Sequence, residues 1–306
     1  MTREHLRRCP LCGGRGWFEV RTLPTAPISS YWSRIGVDLD TEYSPWPLEF
    51  SQHQCVHCGV HSYSPMVVGK PFLYASLAAQ NWYYPGVKWE FIDVLQFLSG
   101  RGIGKLLEFG CGRGRFLSAA RHVIPTAVGV EFNPDAVIAC LGQGLDVREE
   151  LPEDGDGQFD CVTAFQVLEH LADPQTVLDR LINLIAPGGW LVLSVPNQDG
   201  PLADLRLNFL NQPPHHVTLW PRTALEWVAQ RFHLEFAAYR REPLSHQLFA
   251  TWVSERSEQL CSDLTGLRRV GRAPLRIAFR TFAALAFPFA GDRLSGHTHV
   301  AYLRKS

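Results

Sequence analysis

The sequence predicts an α/β protein in which a Rossmann-like parallel sheet, with helices on both faces, follows a small cysteine-containing domain. Three observations lead to this prediction. From Lys105 onward, apolar strand-like segments alternate with helix-like segments, which is typical of a parallel sheet wound with helices. The first of these strands ends in the glycine-rich stretch "GCGRG" at residues 110–114. Ahead of the sheet, four cysteines form two Cys-x-x-Cys pairs.

Length and composition set the class of protein. The chain has 306 residues, of which 46% are hydrophobic and 19% charged, as expected for one large core and a small accessory domain. A formal net charge of −1 gives no overall positive field, which argues against a nucleic-acid-binding protein. The N-terminal stretch lacks the apolar core of a signal peptide, and no apolar run reaches the ~20 residues of a membrane span. We therefore expect a cytoplasmic protein.

The first elements along the chain are the cysteine motifs, "CPLCGG" with Cys9 and Cys12 and "CVHCG" with Cys55 and Cys58. Each motif offers two thiolates on a short loop followed by glycine, which suits tetrahedral zinc in a reducing compartment. Because the gap between the motifs is long, an iron–sulfur cluster and a metal-free site stay open as alternatives. The intervening segment 22–50 has little helical periodicity and predicts short strands and loops.

The remaining elements follow from hydrophobic periodicity. A helical lead-in is indicated by apolar residues on one helical face, namely Phe91, Val94, Leu95 and Leu98. Strands are predicted at 105–110, 126–132, 159–165, 189–196, 234–242 and 297–305. Helices are predicted after Gly114 and at 133–144, 173–189 and 221–232. These elements divide the chain into an N-terminal zinc-knuckle domain at 1–70, a helical lead-in at 71–104 and a sheet domain at 105–306, with a helical insert at about 245–292.

The glycine loop after the first long strand indicates which ligand the sheet binds. Its sequence is Gly-Cys-Gly-Arg-Gly, with Glu108 two positions before the first glycine, and it departs from the Gly-x-Gly-x-x-Gly of dinucleotide-binding proteins. Glu131 ends the next strand, where its carboxylate can accept hydrogen bonds from both hydroxyls of an unphosphorylated ribose. The combination resembles class I S-adenosylmethionine-dependent methyltransferases, whose first motif is acid-x-Gly-x-Gly-x-Gly.

The resemblance extends over roughly two thirds of the chain. "GQFDCVTAFQVLEHLADP" is similar to the family's fourth strand and the helix after it, and "IAPGGWLVLSVPN" is similar to its fifth strand. "GHTHVAYLRK" resembles the seventh, antiparallel strand that separates this fold from dehydrogenases. The resemblance implies a seven-stranded methyltransferase sheet with S-adenosylmethionine as the methyl donor.

Roles for individual residues are implied by the same resemblance. The glycines let the backbone approach the cofactor, Glu108 helps to fix the loop and the cofactor's amino group, and Glu131 accepts the ribose hydroxyls. The family's adenine-contacting acid follows the third strand, but the matching segment is shortened here, so Asp146 competes with Glu149 and Glu150 for that role. The expected cofactor-binding residues are Glu108, Gly110, Gly112, Gly114, Glu131, Phe132, Asp146, Phe165 and Gln166.

The acceptor side of the reaction is expected at the loop "LNQPPHHVTLWPRTAL", which resembles a histidine-containing loop of the family's small-molecule branches. It places His215 and His216 near the carboxyl ends of the strands, where either could act as general base; a structural, hydrogen-bonded role is the alternative. Glu169 and His170 correspond to the family's common Glu-His pair, for which structural and catalytic roles both stay open. Tyr83, Tyr84 and Trp89 could close over cofactor or acceptor, or simply pack.

The C-terminal insert contains a second amphipathic pattern. Residues 274–288 predict a helix with one apolar stripe, and arginines lie beside the stripe at Arg276 and Arg280. Such a helix could contact an anionic membrane surface or a lipid-linked acceptor. Docking on the sheet domain, or on a second copy in a homodimer, is the alternative.

Together these features predict a cytoplasmic or membrane-peripheral class I methyltransferase with a structural zinc. Its acceptor would be a small molecule, a sugar or a lipid-linked compound, methylated at oxygen. The enzyme alternative is methylation of ribosomal or transfer RNA, with the zinc domain gripping the RNA, although Lys, Arg and aromatic residues are not interleaved there as RNA binding requires. A non-catalytic S-adenosylmethionine-binding or scaffold protein is the alternative outside enzymes.

Overall fold

The computed structural model describes residues 8–80, 83, 86–153, 158–203, 209–246 and 294–306, together with the short stretches 248–250, 252–253, 256 and 281. Apart from residue 281, the predicted helix at 274–288 lies outside the described residues. Within the described ranges, no helix is both long and apolar enough to cross a membrane.

A seven-stranded sheet forms the centre of the larger part of the described chain. Its strands, in spatial order, are β10 (Leu234–Pro243), β11 (Ser295–Lys305), β8 (Ile185–Pro196), β7 (Phe159–Phe165), β4 (Lys105–Phe109), β5 (Thr126–Val130) and β6 (Asp146–Arg148). β11 runs antiparallel to both of its neighbours, and all other pairs in this sheet are parallel. The predicted Rossmann-like methyltransferase sheet, with its antiparallel last strand, is confirmed.

Helices cover both faces of this sheet, as predicted. α4 (Trp89–Leu98) and α5 (Arg115–Ala120) pack on one face, and α7 (Pro174–Asn183) and α8 (Arg222–Arg231) pack on the other. Successive side chains of β4 point to opposite faces of the sheet. Leu106 lies in the core beneath α4 and α5, and Leu107 lies in the core beneath α7 and α8. A further helix, α6 (Pro134–Leu141), packs beside β6. The two cores hold the carboxyl ends of β4, β5 and β7 at one edge.

One boundary in the sheet differs from the prediction. The helix predicted at 173–189 ends at Asn183, and β8 begins at Ile185 instead of residue 189. Ile185 pairs with Phe159, and an irregularity in the register between Phe159 and Cys161 accommodates the extra residues, including Pro187. Pairing with β7 therefore places residues 185–189 in a strand, although the local pattern predicts them as the end of a helix.

The N-terminal part forms a second, antiparallel sheet of β1 (Trp17–Pro24), β2 (Glu49–Cys55), β3 (His61–Ser64) and β9 (Thr218–Leu219). The expectation of only short strands and loops over 22–50 is wrong, because α1 (Ala26–Ser33) and the single turn α2 (Leu39–Glu42) lie there. α1 has a proline in its first turn and buries Ile28 and Trp32, one turn apart, in the N-terminal core. α3 (Pro71–Ala78) packs on the same core.

The N-terminal sheet is continuous with the larger part of the molecule. β9 lies in sequence between β8 and α8, yet it pairs with β3 through Thr218 and Leu219. A Cβ at Gly59 would collide with Thr223, which shows how closely the second cysteine loop approaches α8. The boundaries at residues 70 and 104 stay predictions.

Candidate functional site

The glycine loop and Glu131 meet at the carboxyl edge of β4 and β5. The Glu131 carboxylate accepts hydrogen bonds from the N–H of Gly112 at 2.8 Å and from the N–H groups of Phe132 and Asn133, both at 2.9 Å. Gly110 and Cys111 donate their N–H groups to the Val130 carbonyl, which fastens the loop to the end of β5. One carboxylate thus organises both the loop and the turn into α6.

Two glycines of the loop are required by both backbone conformation and space. Gly110 and Gly114 have φ values of +72°, in the left-handed region that favours glycine. A Cβ at Gly110 would lie 2.5 Å from Val167 Cγ2, and one at Gly114 would collide with Leu145. Gly112 also has positive φ, at +53°. The loop therefore brings bare backbone to the edge of the sheet.

Glu108 fits the binding of a cationic group. Its side chain is buried beneath the loop, and its Oε2 has no hydrogen-bond partner among the described residues. Burial raises the pKa of this carboxyl well above its usual range, and the positive charge of Lys88 partly opposes that shift. A buried carboxylate oxygen without a partner is suited to an ammonium group such as the amino group of S-adenosylmethionine.

The remaining predicted cofactor residues fall into different places. Phe132 is 58% exposed at the same edge, and its ring contacts that of Phe109. Gln166 follows β7 with φ +55°, a left-handed backbone that is unusual outside glycine and held by its N–H bond to the Ser194 carbonyl. These two lie where a cofactor could contact them.

Phe165 and Asp146 are not brought to that edge in the expected way. The Phe165 ring is buried in the core against Phe91 and Phe116, so only its backbone lies at the strand end. Asp146 is exposed at the amino end of β6, opposite Val128, two positions before the carboxyl edge. Its adenine contact stays a prediction that the geometry does not favour.

A cavity of about 190 Å³ opens beside the loop. α3 supplies small side chains to one wall, and Arg113, Asn133 and Asp135 supply the other. Because Asn133 directly follows the Glu131 turn, this cavity lies next to the predicted ribose position. The N-terminal part of the chain therefore contributes a wall to the candidate cofactor cleft.

The predicted acceptor histidines lie together with His170 in one buried group. The ring centroids of His170, His215 and His216 are 4.5–4.8 Å apart. His170 Nδ1 lies 2.7 Å from the His215 carbonyl oxygen, and His215 Nδ1 lies 2.8 Å from that of Leu210. His215 Nε2 lies 3.1 Å from the Tyr83 hydroxyl, while the buried His216 Nδ1 has no hydrogen-bond partner among the described residues.

A buried carboxylate faces this group of histidines. Glu169 Oε1 lies 4.0 Å from Nε2 of both His170 and His216, and neither Glu169 oxygen has a hydrogen-bond partner in the described part of the chain. Burial raises the pKa of Glu169 to about 8, and burial lowers the pKa of His170 to about 4. Burial also holds the pKa values of His215 and His216 well below their usual range. All three imidazoles are therefore neutral near pH 7.

The four cysteines of the two motifs converge on one point, as the zinc prediction requires. Cys9 and Cys58 Sγ atoms are 3.5 Å apart, as are those of Cys12 and Cys55, and all four lie within 4.8 Å of one another. A zinc tetrahedron with Zn–S bonds of about 2.3 Å has edges of about 3.8 Å, so this donor set fits the metal. The hydrogen bond between Cys9 and Cys58 lowers the pKa of Cys9 to about 6 and raises the pKa of Cys58, which favours one thiolate in this pair. Both loops close alike, with the N–H of Gly13 and Gly59 donating to the carbonyls of Cys9 and Cys55.

Sequence reasoning missed two residues at the site. Tyr74 contacts the rings of His170 and His215 from α3, and Lys88 acts electrostatically on Glu108 and Glu169. Both belong to the segment before β4, whose position over the sheet edge depends on tertiary packing. No local motif around either residue indicates this placement.

Comparisons with known proteins agree with this geometry. A family model described as a methyltransferase domain matches residues 86–238, which is half of the chain. Ubiquinone biosynthesis O-methyltransferase of Thiobacillus denitrificans is 32% identical over 118 residues, covering 35% of this chain and 50% of that protein. The protein of that name from Pseudomonas aeruginosa strain LESB58 is 32% identical over 124 residues, covering 37% and 51%. The chain thus spans about half the length of these curated relatives.

Solved structures give distant likenesses. A SAM-dependent methyltransferase from Archaeoglobus fulgidus is 17% identical, with a TM-score of 0.45 and coverage of 71% of this chain and 93% of that one. A phosphoethanolamine N-methyltransferase 2 from Haemonchus contortus is 17% identical, with a TM-score of 0.47 and coverage of 77% and 56%.

The family model begins in the lead-in to α4, includes the glycine loop and Glu131, and ends within β10. It therefore spans the edge at which the cofactor candidates Glu108, Gly110, Gly112 and Glu131 come together. On this match, the chain belongs to the methyltransferase-domain family of class I S-adenosylmethionine-dependent proteins.

Proposed function

We propose that the protein transfers a methyl group from S-adenosylmethionine to a hydroxyl oxygen of a small-molecule acceptor. The observation that carries this proposal is the junction of the glycine loop with Glu131, next to the unpartnered carboxylate oxygen of Glu108. Glu131 is placed to accept hydrogen bonds from ribose hydroxyls, and Glu108 is placed to bind an ammonium group. S-adenosylmethionine carries both a ribose and an ammonium group. The Gly-x-Gly-x-Gly spacing of the loop, in place of Gly-x-Gly-x-x-Gly, supports this ligand over a dinucleotide.

The choice of oxygen as the methylated atom is supported by the curated relatives. The two ubiquinone biosynthesis enzymes are named O-methyltransferases, and their match to this chain is limited to about half their length. A hydroxyl acceptor needs a group that takes or displaces its proton, and the buried histidines provide candidates for that step.

Each side chain at the cofactor end has a separate task. Glu131 already accepts three backbone N–H bonds, and a carboxylate has about four acceptor positions, so it can hold the loop and still accept a ribose hydroxyl. Glu108 would fix the amino group, and Phe132 offers an exposed ring against which adenine could stack. When bound, S-adenosylmethionine supplies an activated methyl group on a positively charged sulfur, which becomes a neutral thioether as the acceptor oxygen takes the methyl.

The acceptor end is assigned to the histidine group. Val167 lies against Gly110 and precedes Glu169 and His170 by only a few residues, so this group is adjacent to the glycine loop. His215 and His216 are only 4% and 5% exposed, and an acceptor that has to reach such buried side chains is better matched by a small molecule than by a folded RNA. Sugars and lipid-linked hydroxyl compounds are the finer acceptor classes that the sequence predicts.

The cysteine group is proposed to hold a structural zinc. Its four thiol sulfurs occupy all the coordination positions of a tetrahedral ion, which leaves none open for chemistry. The second loop packs on α8, so the metal would brace the N-terminal sheet against the methyltransferase domain.

The proposed activity is tested by incubating the full chain with labelled S-adenosylmethionine and a panel of acceptors. The panel contains catechols, nucleotide-sugars, lipid-linked sugars and RNA. Transfer of label to a hydroxyl of one of the small compounds is the expected result. Label found only on RNA would contradict the proposal, and so would cofactor binding without transfer to any member of the panel.

A further inference from the structure

The histidine group has the chemistry of a metal site as well as that of a base. One ligand atom from each of His170, His215 and His216 lies within 4.8 Å of the others. An imidazole that binds a metal through one nitrogen usually donates the N–H of its other nitrogen to a carbonyl or carboxylate. His170 and His215 each have Nδ1 within 2.8 Å of a backbone carbonyl oxygen, so their Nε2 atoms carry the lone pairs.

A second, independent observation is that the buried Glu169 side chain lacks hydrogen-bond partners among the described residues. Its side chain is 1% exposed, both oxygens lack a hydrogen-bond partner among the described residues, and Oε1 points at Nε2 of His170 and of His216 from 4.0 Å. A buried carboxyl group whose oxygens have no hydrogen-bond partner is unfavourable, and a cation beside it would satisfy those oxygens.

This inference rests on the proposed function. We propose that His170, His215 and His216, with Glu169 beside them, form a divalent-cation site whose open position binds the acceptor's hydroxyl group. Three imidazoles are a donor set for a first-row ion such as zinc or cobalt, and they leave a position open for a hydroxyl oxygen. The histidine nitrogens are farther apart than in a closed site, since tetrahedral edges for bonds of about 2.1 Å are about 3.4 Å, so the imidazoles would have to rotate toward one another to bind an ion.

The cation would change the role of the histidines toward the acceptor. A hydroxyl bound to a divalent ion has a lowered pKa, so its proton leaves to water near neutral pH and no side chain has to act as the base. Tyr83, whose hydroxyl lies 3.1 Å from His215 Nε2, would have to give up that contact when His215 binds the ion. A vicinal diol or catechol, with two hydroxyls for one ion, is the acceptor class that this site fits best.

The test uses the purified full chain titrated with Co²⁺ alone, with bound cobalt measured by elemental analysis and absorption spectroscopy. Two bound ions per chain are expected, one with thiolate-to-cobalt charge-transfer absorption from the cysteine site and one without it. His170→Ala combined with His216→Ala should lose only the ion without thiolate absorption. Cys9→Ser combined with Cys12→Ser should lose only the other. His122→Ala, at an exposed histidine, serves as the matched control and should keep both.

A wild-type protein that binds only the thiolate-type ion overturns the inference, as does a folded double histidine variant that keeps both. If that variant does not fold, Glu169→Gln keeps the side-chain volume and should weaken the second ion at least tenfold, and unchanged affinity contradicts the site. Calorimetry with S-adenosylmethionine separates the two proposals. If cofactor binding and methyl transfer both continue undiminished in EDTA, the cation site is refuted and the methyltransferase proposal is not. If the cobalt-loaded protein does not bind S-adenosylmethionine, the methyltransferase proposal is refuted.

Discussion

The Glu131 carboxylate and the Gly112 backbone N–H are joined by a 2.8 Å hydrogen bond between the ends of two neighbouring parallel strands. The same carboxylate also holds the turn that leads into α6. The acid at this position therefore shapes the glycine loop, and we expect its remaining acceptor capacity to bind ribose hydroxyls.

Replacement of this acid tests both functions. Glu131→Ala removes three backbone hydrogen bonds and the ribose acceptor, and we expect S-adenosylmethionine affinity to fall at least tenfold, since hydrogen bonds to charged groups contribute about 1.5–3 kcal/mol. Isothermal titration calorimetry measures the change. Asp179→Ala, at an exposed acid on α7, is the control and should bind as the wild type does. Equal affinity in the two variants would remove the basis for the ribose assignment.

The crowding at Gly110 gives a second prediction. Alanine at Gly110 or at Gly188 must adopt positive φ, which costs roughly 1–2 kcal/mol, but only Gly110 has Val167 at 2.5 Å from the new Cβ. We therefore expect Gly110→Ala to lower the free energy of unfolding by about 1 kcal/mol more than Gly188→Ala does. Urea unfolding of both variants measures the difference. Gly110→Ala should also abolish cofactor binding, and a variant that binds normally would show that the loop tolerates a side chain.

Metal removal tests the cysteine site. Combining Cys9→Ser with Cys12→Ser should eliminate one zinc per chain and lower the thermal unfolding temperature, because metal binding stabilises only the folded arrangement of the thiols. Elemental analysis and calorimetric melting give the two readouts. Cys161→Ala, buried in the core of the large sheet, is the matched control that should lose stability but retain zinc. Equal zinc content in the serine variant and the wild type would exclude a cysteine-bound ion.

His299 predicts a dependence of stability on pH. Burial lowers its pKa to about 3, and its Nδ1 lies 2.8 Å from the Tyr239 hydroxyl. Because the unfolded chain then binds a proton that the folded protein does not, the free energy of unfolding falls as the pH drops from about 6.5 toward 3, by up to about 1.4 kcal/mol per pH unit. Above about pH 6.5, His299 is neutral in both the folded and the unfolded chain, so it does not contribute to the pH dependence of the free energy of unfolding.

The prediction is checked by urea unfolding of wild type and His299→Gln at several pH values between 7.5 and 4.5. The glutamine variant should show a shallower loss of stability on acidification, while Tyr239→Phe, which keeps the imidazole, should retain the steeper one. Identical slopes in wild type and His299→Gln would mean that His299 is not the group responsible.

The methyltransferase sheet and its glycine loop could be predicted because their signals are local. Strand alternation, the spacing around Gly110 and the position of Glu131 can each be read within a few residues. α1 was missed because its apolar face has only two buried positions, Ile28 and Trp32, among prolines and serines. β9 consists of two residues that pair with a strand more than 150 positions earlier, so no local pattern could indicate it.

At the acceptor end, too, the residue types have local signals and their arrangement does not. The Glu-His pair and the two adjacent histidines are both visible as motifs, but their meeting depends on a contact across 45 residues, between His170 and the His215 carbonyl. The unpartnered state of Glu169 likewise depends on what surrounds it in the fold. The sequence therefore indicates these histidines and Glu169 as candidates, but it does not indicate that they are buried together.

Calorimetric titration of the folded 306-residue chain with S-adenosylmethionine, and separately with NAD, is the decisive measurement of cofactor identity. We predict that S-adenosylmethionine binds with one site per chain and that NAD does not bind. The reasons are the Gly-x-Gly-x-Gly spacing of the loop and the buried Glu108 carboxyl group, which is placed for an aliphatic ammonium group that NAD lacks. Absence of S-adenosylmethionine binding by a protein shown to be folded, or preferential binding of NAD, would contradict the account.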